Sequence, residues 1–106
     1  MNEFSNESEL KDGDIIIIKE IPCEVTDNCK GRKNYCHVGN QVMVFKTDDR
    51  SHWSFTSILD GIPYYFHMAW YINGKKIGEA FQGFCTVNLI KYKIVGNITQ
   101  HRSFEF

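Results

Sequence analysis

The chain has 106 residues, 42% of them hydrophobic and 24% charged, with a net charge of −1. That length holds one ordinary domain with a single core and leaves no room for a second. The near-neutral balance excludes the global electrostatic footprint of nonspecific nucleic-acid or membrane-surface binding, so a nucleic-acid partner needs a local basic patch.

Residues 1–12 carry Asn, Glu and Ser and little to bury, and they read as a flexible acidic and polar arm. They lack the apolar stretch of a signal or transit peptide, so the expected compartment is cytoplasmic. The longest apolar run, Ile15 to Ile18, is far shorter than the roughly 18 residues of a membrane span, and no membrane partner is expected. From Gly13 to Phe106 the chain reads as a single all-β domain. Runs of Ile, Val, Phe, Tyr, Trp and Thr alternate with the turn compositions "KGRKN", "TDDRS", "LDGIP", "NGK" and "QG".

In chain order, "IIIIKEI" and "CEVTD" flank Pro22, which has no amide to give a ladder and suggests an edge, a strand start or a bulge. "CEVTD" and "YCHVGNQVMVF" then pair across "NCKGRKN". "QVMVFKT" and "HWSFTSIL" form a pair around Asp48-Asp49-Arg50. In "YYFHMAWYINGKKIGEAF", Tyr64, Phe66, Met68, Trp70 and Ile72 alternate onto one face. Asn73-Gly74 supplies the two positive-φ residues of a type I′ hairpin. "FCTVNLIKYKIV" alternates throughout and reads as one strand, while "QHRSFEF" reads as a last edge strand or a tail. The expected architecture is a small barrel or two-sheet sandwich of about seven antiparallel strands.

Chemistry is sparse. Cys23, Cys29, Cys36 and His37 have C-x5-C-x6-C-H spacing, without the tight knuckle that aims two sulfurs at one zinc. Thiols and no cofactor are expected, and those four residues are the fallback ligand set. Lys30, Arg32 and Lys33 surround Gly31 at the tip of the first hairpin. They suit phosphate contacts through charge and the guanidinium fork, or serve only to solvate an exposed turn. No nucleotide-binding glycine loop, zinc-protease helix or serine elbow is present, which points to a non-catalytic protein.

Aromatic residues make up 14% of the chain and crowd between Trp53 and Phe84. On the alternation above, Tyr65, His67 and Tyr71 face away from Phe66, Met68 and Trp70, and together with Trp53 they are the candidate partner-binding residues. Such a sheet face suits a protein interface or base stacking, unless both faces are buried.

The stretch Gly13 to Val38 resembles the opening of the N-terminal domain of the initiation factor five A and elongation factor P family. That opening has a glycine, a hydrophobic strand, a proline-cysteine pair, a short acidic strand and a basic loop. Gly13, Ile16, Ile18, Lys19, Pro22, Cys23, Val25 and Asp27 carry the likeness. It implies an SH3-like barrel that binds in the ribosome near tRNA. This loop is shorter than the family's and puts Arg32, with Lys33 beside it, near the place of the family's modified lysine. Nothing after Phe45 resembles the family, and its second domain is absent.

Two functional expectations follow. The first is a protein-interaction domain, an adaptor or inhibitor, that uses an aromatic sheet face with a protein partner or homodimerises through an edge strand. The alternative is an RNA- or ribosome-associated module using Lys30, Arg32 and Lys33.

Overall fold

Four β-branched residues in a row, Ile15 to Ile18, favour a strand covered on both faces. The computed structural model, which describes residues 4–21 and 34–98, places them in such a strand. The strands are β1 (Asp14–Glu20), β2 (Gln41–Lys46), β3 (Trp53–Ser57), β4 (Phe66–Ile72), β5 (Lys75–Gln82), β6 (Phe84–Cys85) and β7 (Lys91–Asn97). Five of them form one antiparallel sheet in the order β6-β3-β2-β1-β7, and β4 and β5 form a two-stranded ribbon. The expected all-β class is therefore observed, as two antiparallel sheets.

The sheet's inner face is set by register: Ile16 lies between Val42 and Ile94, Ile18 beside Tyr92, and Val44 beside Phe55. A slip of one residue would turn this apolar set toward water. Leu10, Cys36, Phe66, Val87 and Ile90 close over the set to form the core. Each large side chain buried there contributes roughly 1.5–3 kcal/mol by leaving water.

Three expectations about chain path are corrected. Residues 84–95 are not one strand, because β6 pairs with β3 at one edge of the sheet while β7 pairs with β1 at the other. The link between them turns through a 3-10 segment at Val87–Leu89, with Leu89 N–H donating to Thr86 O at 2.9 Å. Val87 and Ile90, three apart and thus eclipsed in such a turn, both enter the core.

Nor do residues 35–45 run straight. Gly39 at φ 96° reverses the chain, the Asn40 side chain accepts from His37 N–H at 2.6 Å, and only then does β2 begin. Upstream of that turn Tyr35 makes a parallel bridge to Tyr65.

The N-terminal segment, expected to be a loose arm, is tied down over residues 4–12. Ser5 N–H donates to Tyr92 O at 2.8 Å and its hydroxyl accepts from Ile94 N–H at 2.9 Å. A 3-10 turn at Glu7–Glu9 then delivers Leu10 to the core. The Glu7 carboxylate accepts from Lys46 Nζ at 3.3 Å and from Trp53 Nε1 at 3.4 Å. A polar composition hid one apolar anchor, Leu10, and one side-chain acceptor, the Ser5 hydroxyl, for the otherwise open β7 edge.

Candidate interaction surface

After β3 the chain doubles back. Ser57 N–H donates to Ile62 O at 2.9 Å, Thr56 pairs with Pro63, and Tyr64 N–H donates to Phe55 O at 2.9 Å. From there it leaves the main sheet as β4, and it returns only at Gly83, whose carbonyl accepts from Phe55 N–H. The intervening ribbon turns at Asn73 (φ 51°) and Gly74 (φ 77°), the type I′ hairpin read from the sequence. Seven strand residues at about 3.3 Å each make an arm of roughly 23 Å. The molecule measures 54 × 32 × 28 Å with a radius of gyration of 14.6 Å, against roughly 13 Å for a compact chain of this length, in keeping with an arm that stands off the body.

The base of the arm is well anchored. On one face Phe66 meets Phe55 edge-on at 4.6 Å, and Met68 packs on the core. On the other, His67 stacks on Phe81 at 5.2 Å, and Tyr35 sets its edge to Phe81 at 6.4 Å and to His37 at 4.8 Å. His67 also hydrogen-bonds Glu79, whose second oxygen accepts from Lys76 Nζ at 3.3 Å. The hydrogen bond from His67 holds the Glu79 carboxyl below its ordinary pKa; desolvation opposes it, and Lys76 adds to the lowering.

Toward the tip the cover thins. Phe66 and His67 are buried, whereas Trp70, Tyr71, Ile72 and Ile77 are 48%, 49%, 58% and 54% exposed. Trp70 and Tyr71 point to opposite faces, so both sides of the tip carry an exposed ring. Trp70 lies across Gly78, its cross-strand partner: a Cβ there would come within 2.6–2.8 Å of Nε1, Cε2 and Cζ2 of the indole. Tyr71 then pairs with Lys76, which leaves Ile77 as the extra residue of a bulge.

Of the residues expected to form an aromatic face, Tyr65 and Tyr71 are exposed, and Trp53 and His67 are interior. Trp53 sits under the N-terminal segment, with Lys46 Nζ 4.7 Å over its ring. The alternation in β4 is as read, but both faces are covered at the base. Distance along the arm, and not face, governs exposure. For the same reason the sequence reading missed Trp70, Ile72 and Ile77, which it assigned to a buried face or passed over. The available signal was length: a hairpin with strands of 7 and 8 residues must overhang neighbours of 6 and 5.

Lys30, Arg32, Lys33, Cys23 and Cys29 lie outside the described residues. Cys36 is in the core and His37 is exposed beside Tyr35. Among the described residues no group of three or more His, Cys, Asp or Glu side chains is placed to hold a metal ion, and no helix is long and apolar enough to cross a membrane.

Among the described residues, depressions on the body include two near ionisable side chains. The larger, about 570 Å³, runs between the N-terminal segment and β7, where Asp14 already accepts from Asn97 Nδ2 at 2.7 Å and from Lys11 N–H at 2.8 Å. The other, about 320 Å³, lies at the β2–β3 turn between Thr47, Asp48, Asp49, His52 and Phe84. Phe84 and His52 meet edge to face at 5.0 Å. Asp49 Oδ1 accepts from the Thr47 hydroxyl at 2.6 Å and from Ser51 N–H at 3.0 Å, and these bonds hold its carboxyl at about 2. Comparisons with family models, curated proteins and solved structures give no match, so geometry alone carries the functional reading.

Proposed function

We propose that this chain is a non-catalytic protein-interaction module, an adaptor or inhibitor, whose contact element is the β4–β5 arm. The observation that carries the reading is the exposure of Trp70, Tyr71, Ile72 and Ile77 together toward the end of a ribbon whose base packs on the core. Large apolar side chains grouped at the surface characterise interaction sites, and Trp and Tyr give much contact area for little lost entropy. Among the described residues one histidine–carboxylate pair occurs, His67 with Glu79; its imidazole is buried with Phe81 stacked over it, which favours an architectural role at the arm's base over acid–base chemistry. The RNA alternative rests on Lys30, Arg32 and Lys33, and no described residue strengthens it.

The test is a comparative pull-down from the native host with the wild-type chain and with Ile72→Asp/Ile77→Asp, two exposed positions whose change leaves the core intact. Loss of the wild-type set of bound proteins, with an unchanged circular dichroism spectrum, is the expected result. An identical set from both baits would remove the arm from the function.

A further inference from the structure

Asn-Gly and Asp-Gly steps can react with themselves: the glycine nitrogen attacks the preceding side-chain carbonyl carbon, unhindered by any Cβ. Three such steps occur, Asp12-Gly13, Asp60-Gly61 and Asn73-Gly74. Attack needs both groups free, and hydrogen bonding decides among the three. Asp12 Oδ1 accepts from Lys46 N–H at 2.6 Å, and Gly13 N–H donates to Val44 O at 2.8 Å. Asp60 Oδ1 accepts from Ile62 N–H at 3.1 Å, and Gly61 N–H donates to Ser57 O at 3.0 Å. In both steps the electrophile and the nucleophile are held. At the third, neither the Asn73 side chain nor Gly74 N–H makes a hydrogen bond among the described residues. Both residues are exposed, and nothing lies within 4 Å of the place of a Gly74 Cβ.

We infer that Asn73 is a site of spontaneous covalent modification. Gly74 N bonds to Asn73 Cγ and loses its proton, the Cγ–Nδ2 bond breaks, and ammonia leaves with a proton in exchange. Water then opens the cyclic imide at either carbonyl, to aspartate or to isoaspartate, and no oxidant or reductant takes part. Either product adds a negative charge to a turn followed by Lys75 and Lys76. Isoaspartate also adds a backbone methylene, which a two-residue type I′ turn does not accommodate. The chemistry is independent of what the arm contacts.

Ring closure requires Asn73 to rotate out of its left-handed conformation at φ 51°. The rate in the fold is therefore the rate in the unfolded chain multiplied by the fraction of time the turn stands open. The ladder pair next to the turn, Ile72 with Lys75, is exposed, and such ends open at little cost. An opening cost of up to about 1.4 kcal/mol slows the reaction by no more than about tenfold.

The experiment incubates the intact chain at mildly alkaline pH, folded in buffer and unfolded in guanidinium chloride. Peptides spanning the three steps are followed over time by chromatography and mass spectrometry, which separate isoaspartate from aspartate and both from asparagine. Dividing the unfolded rate by the folded rate at each step cancels the intrinsic difference between Asn and Asp. At Asn73 that ratio should be no more than about 10. At Asp12 and Asp60, where two hydrogen bonds must open first, it should be larger than at Asn73. A ratio above about 10 at Asn73, including a folded chain that does not react there at all, overturns the assignment. So does a ratio at Asn73 as large as that at Asp12 or Asp60.

Discussion

Gly78→Ala should change the sign of its effect with the residue opposite. Gly78 has no positive φ, so alanine fits its backbone, and removing glycine from a strand interior is worth roughly 0.5–1 kcal/mol of added stability. In the wild type, however, the new Cβ would sit within 2.6–2.8 Å of the Trp70 indole, and the ring must lift. Trp70 is 48% exposed, so about half its surface is covered. For an aromatic side chain that is roughly 100 Å², or about 2.5 kcal/mol at most. Losing half or more of this cover costs about 1–2 kcal/mol and outweighs the backbone gain. Gly78→Ala should therefore destabilise the wild type by about 0.5–1 kcal/mol and stabilise Trp70→Ala by a similar amount, a coupling of about 1–2 kcal/mol. Urea midpoints for the four proteins of the cycle, with the slope checked for constancy, give the number. Equal shifts in both backgrounds would mean that the indole does not rest on Gly78, and the shape argued for the arm tip would be wrong.

Three further outcomes follow from the body. The Asp49 carboxyl sits at about 2 in the fold against an ordinary 3.8, so the bonds from Thr47 and Ser51 contribute stability above about pH 4 that disappears as pH falls toward 2. Carboxyl NMR shifts should show that midpoint, and a value near 3.8 would refute the turn geometry. Among the described residues the buried Tyr92 hydroxyl has no hydrogen-bond partner, and its phenol is pushed up to about 12 by burial, with nearby acidic groups adding to it. Tyr92→Phe should be neutral or stabilising by up to about 1 kcal/mol in urea denaturation, and a loss beyond about 1 kcal/mol would reveal a partner for the hydroxyl. Phe55→Ala, which empties a fully buried site facing Phe66, should cost about 3–5 kcal/mol in the same assay; a cost below about 1 kcal/mol would contradict the core described above.

How much of this was legible depended on the range of the forces involved. Asn73-Gly74 could be read directly, since two consecutive residues tolerant of positive φ between alternating runs leave few other structures. The strands Gln41–Lys46 and Trp53–Ser57 could be read for a similar reason, with their Asp-rich turn between them. Thr86 to Ile90 could not. Its alternation is real, but a residue spacing of three between Val87 and Ile90 is hidden inside it, and only the need to cross from one sheet edge to the other selects the turn. Leu10 was one apolar residue among polar neighbours, and its burial depends on β7 offering Ser5 a place to bond. Of the expected aromatic face, Tyr65 and Tyr71 have the exposure their alternation implied. Trp53 and His67 were misplaced because pattern tells which face a side chain takes and not what lies above it.

The pairing of β1 with β7 bears on how the chain is made. Residues 14–20 leave the ribosome long before residues 91–97 exist, and at roughly 5–20 residues per second the first strand waits about 4–15 s for its neighbour. During that interval Ile15 to Ile18 are an uncharged, β-branched run with one flank open, the composition that seeds intermolecular cross-β stacking. Lys19 and Glu20 follow at once, where gatekeeper charges blunt such stacking. The same run is where a nascent-chain holdase would be expected to bind, and replacing Lys19 and Glu20 with apolar residues should lower soluble yield more than it lowers the stability of the purified protein.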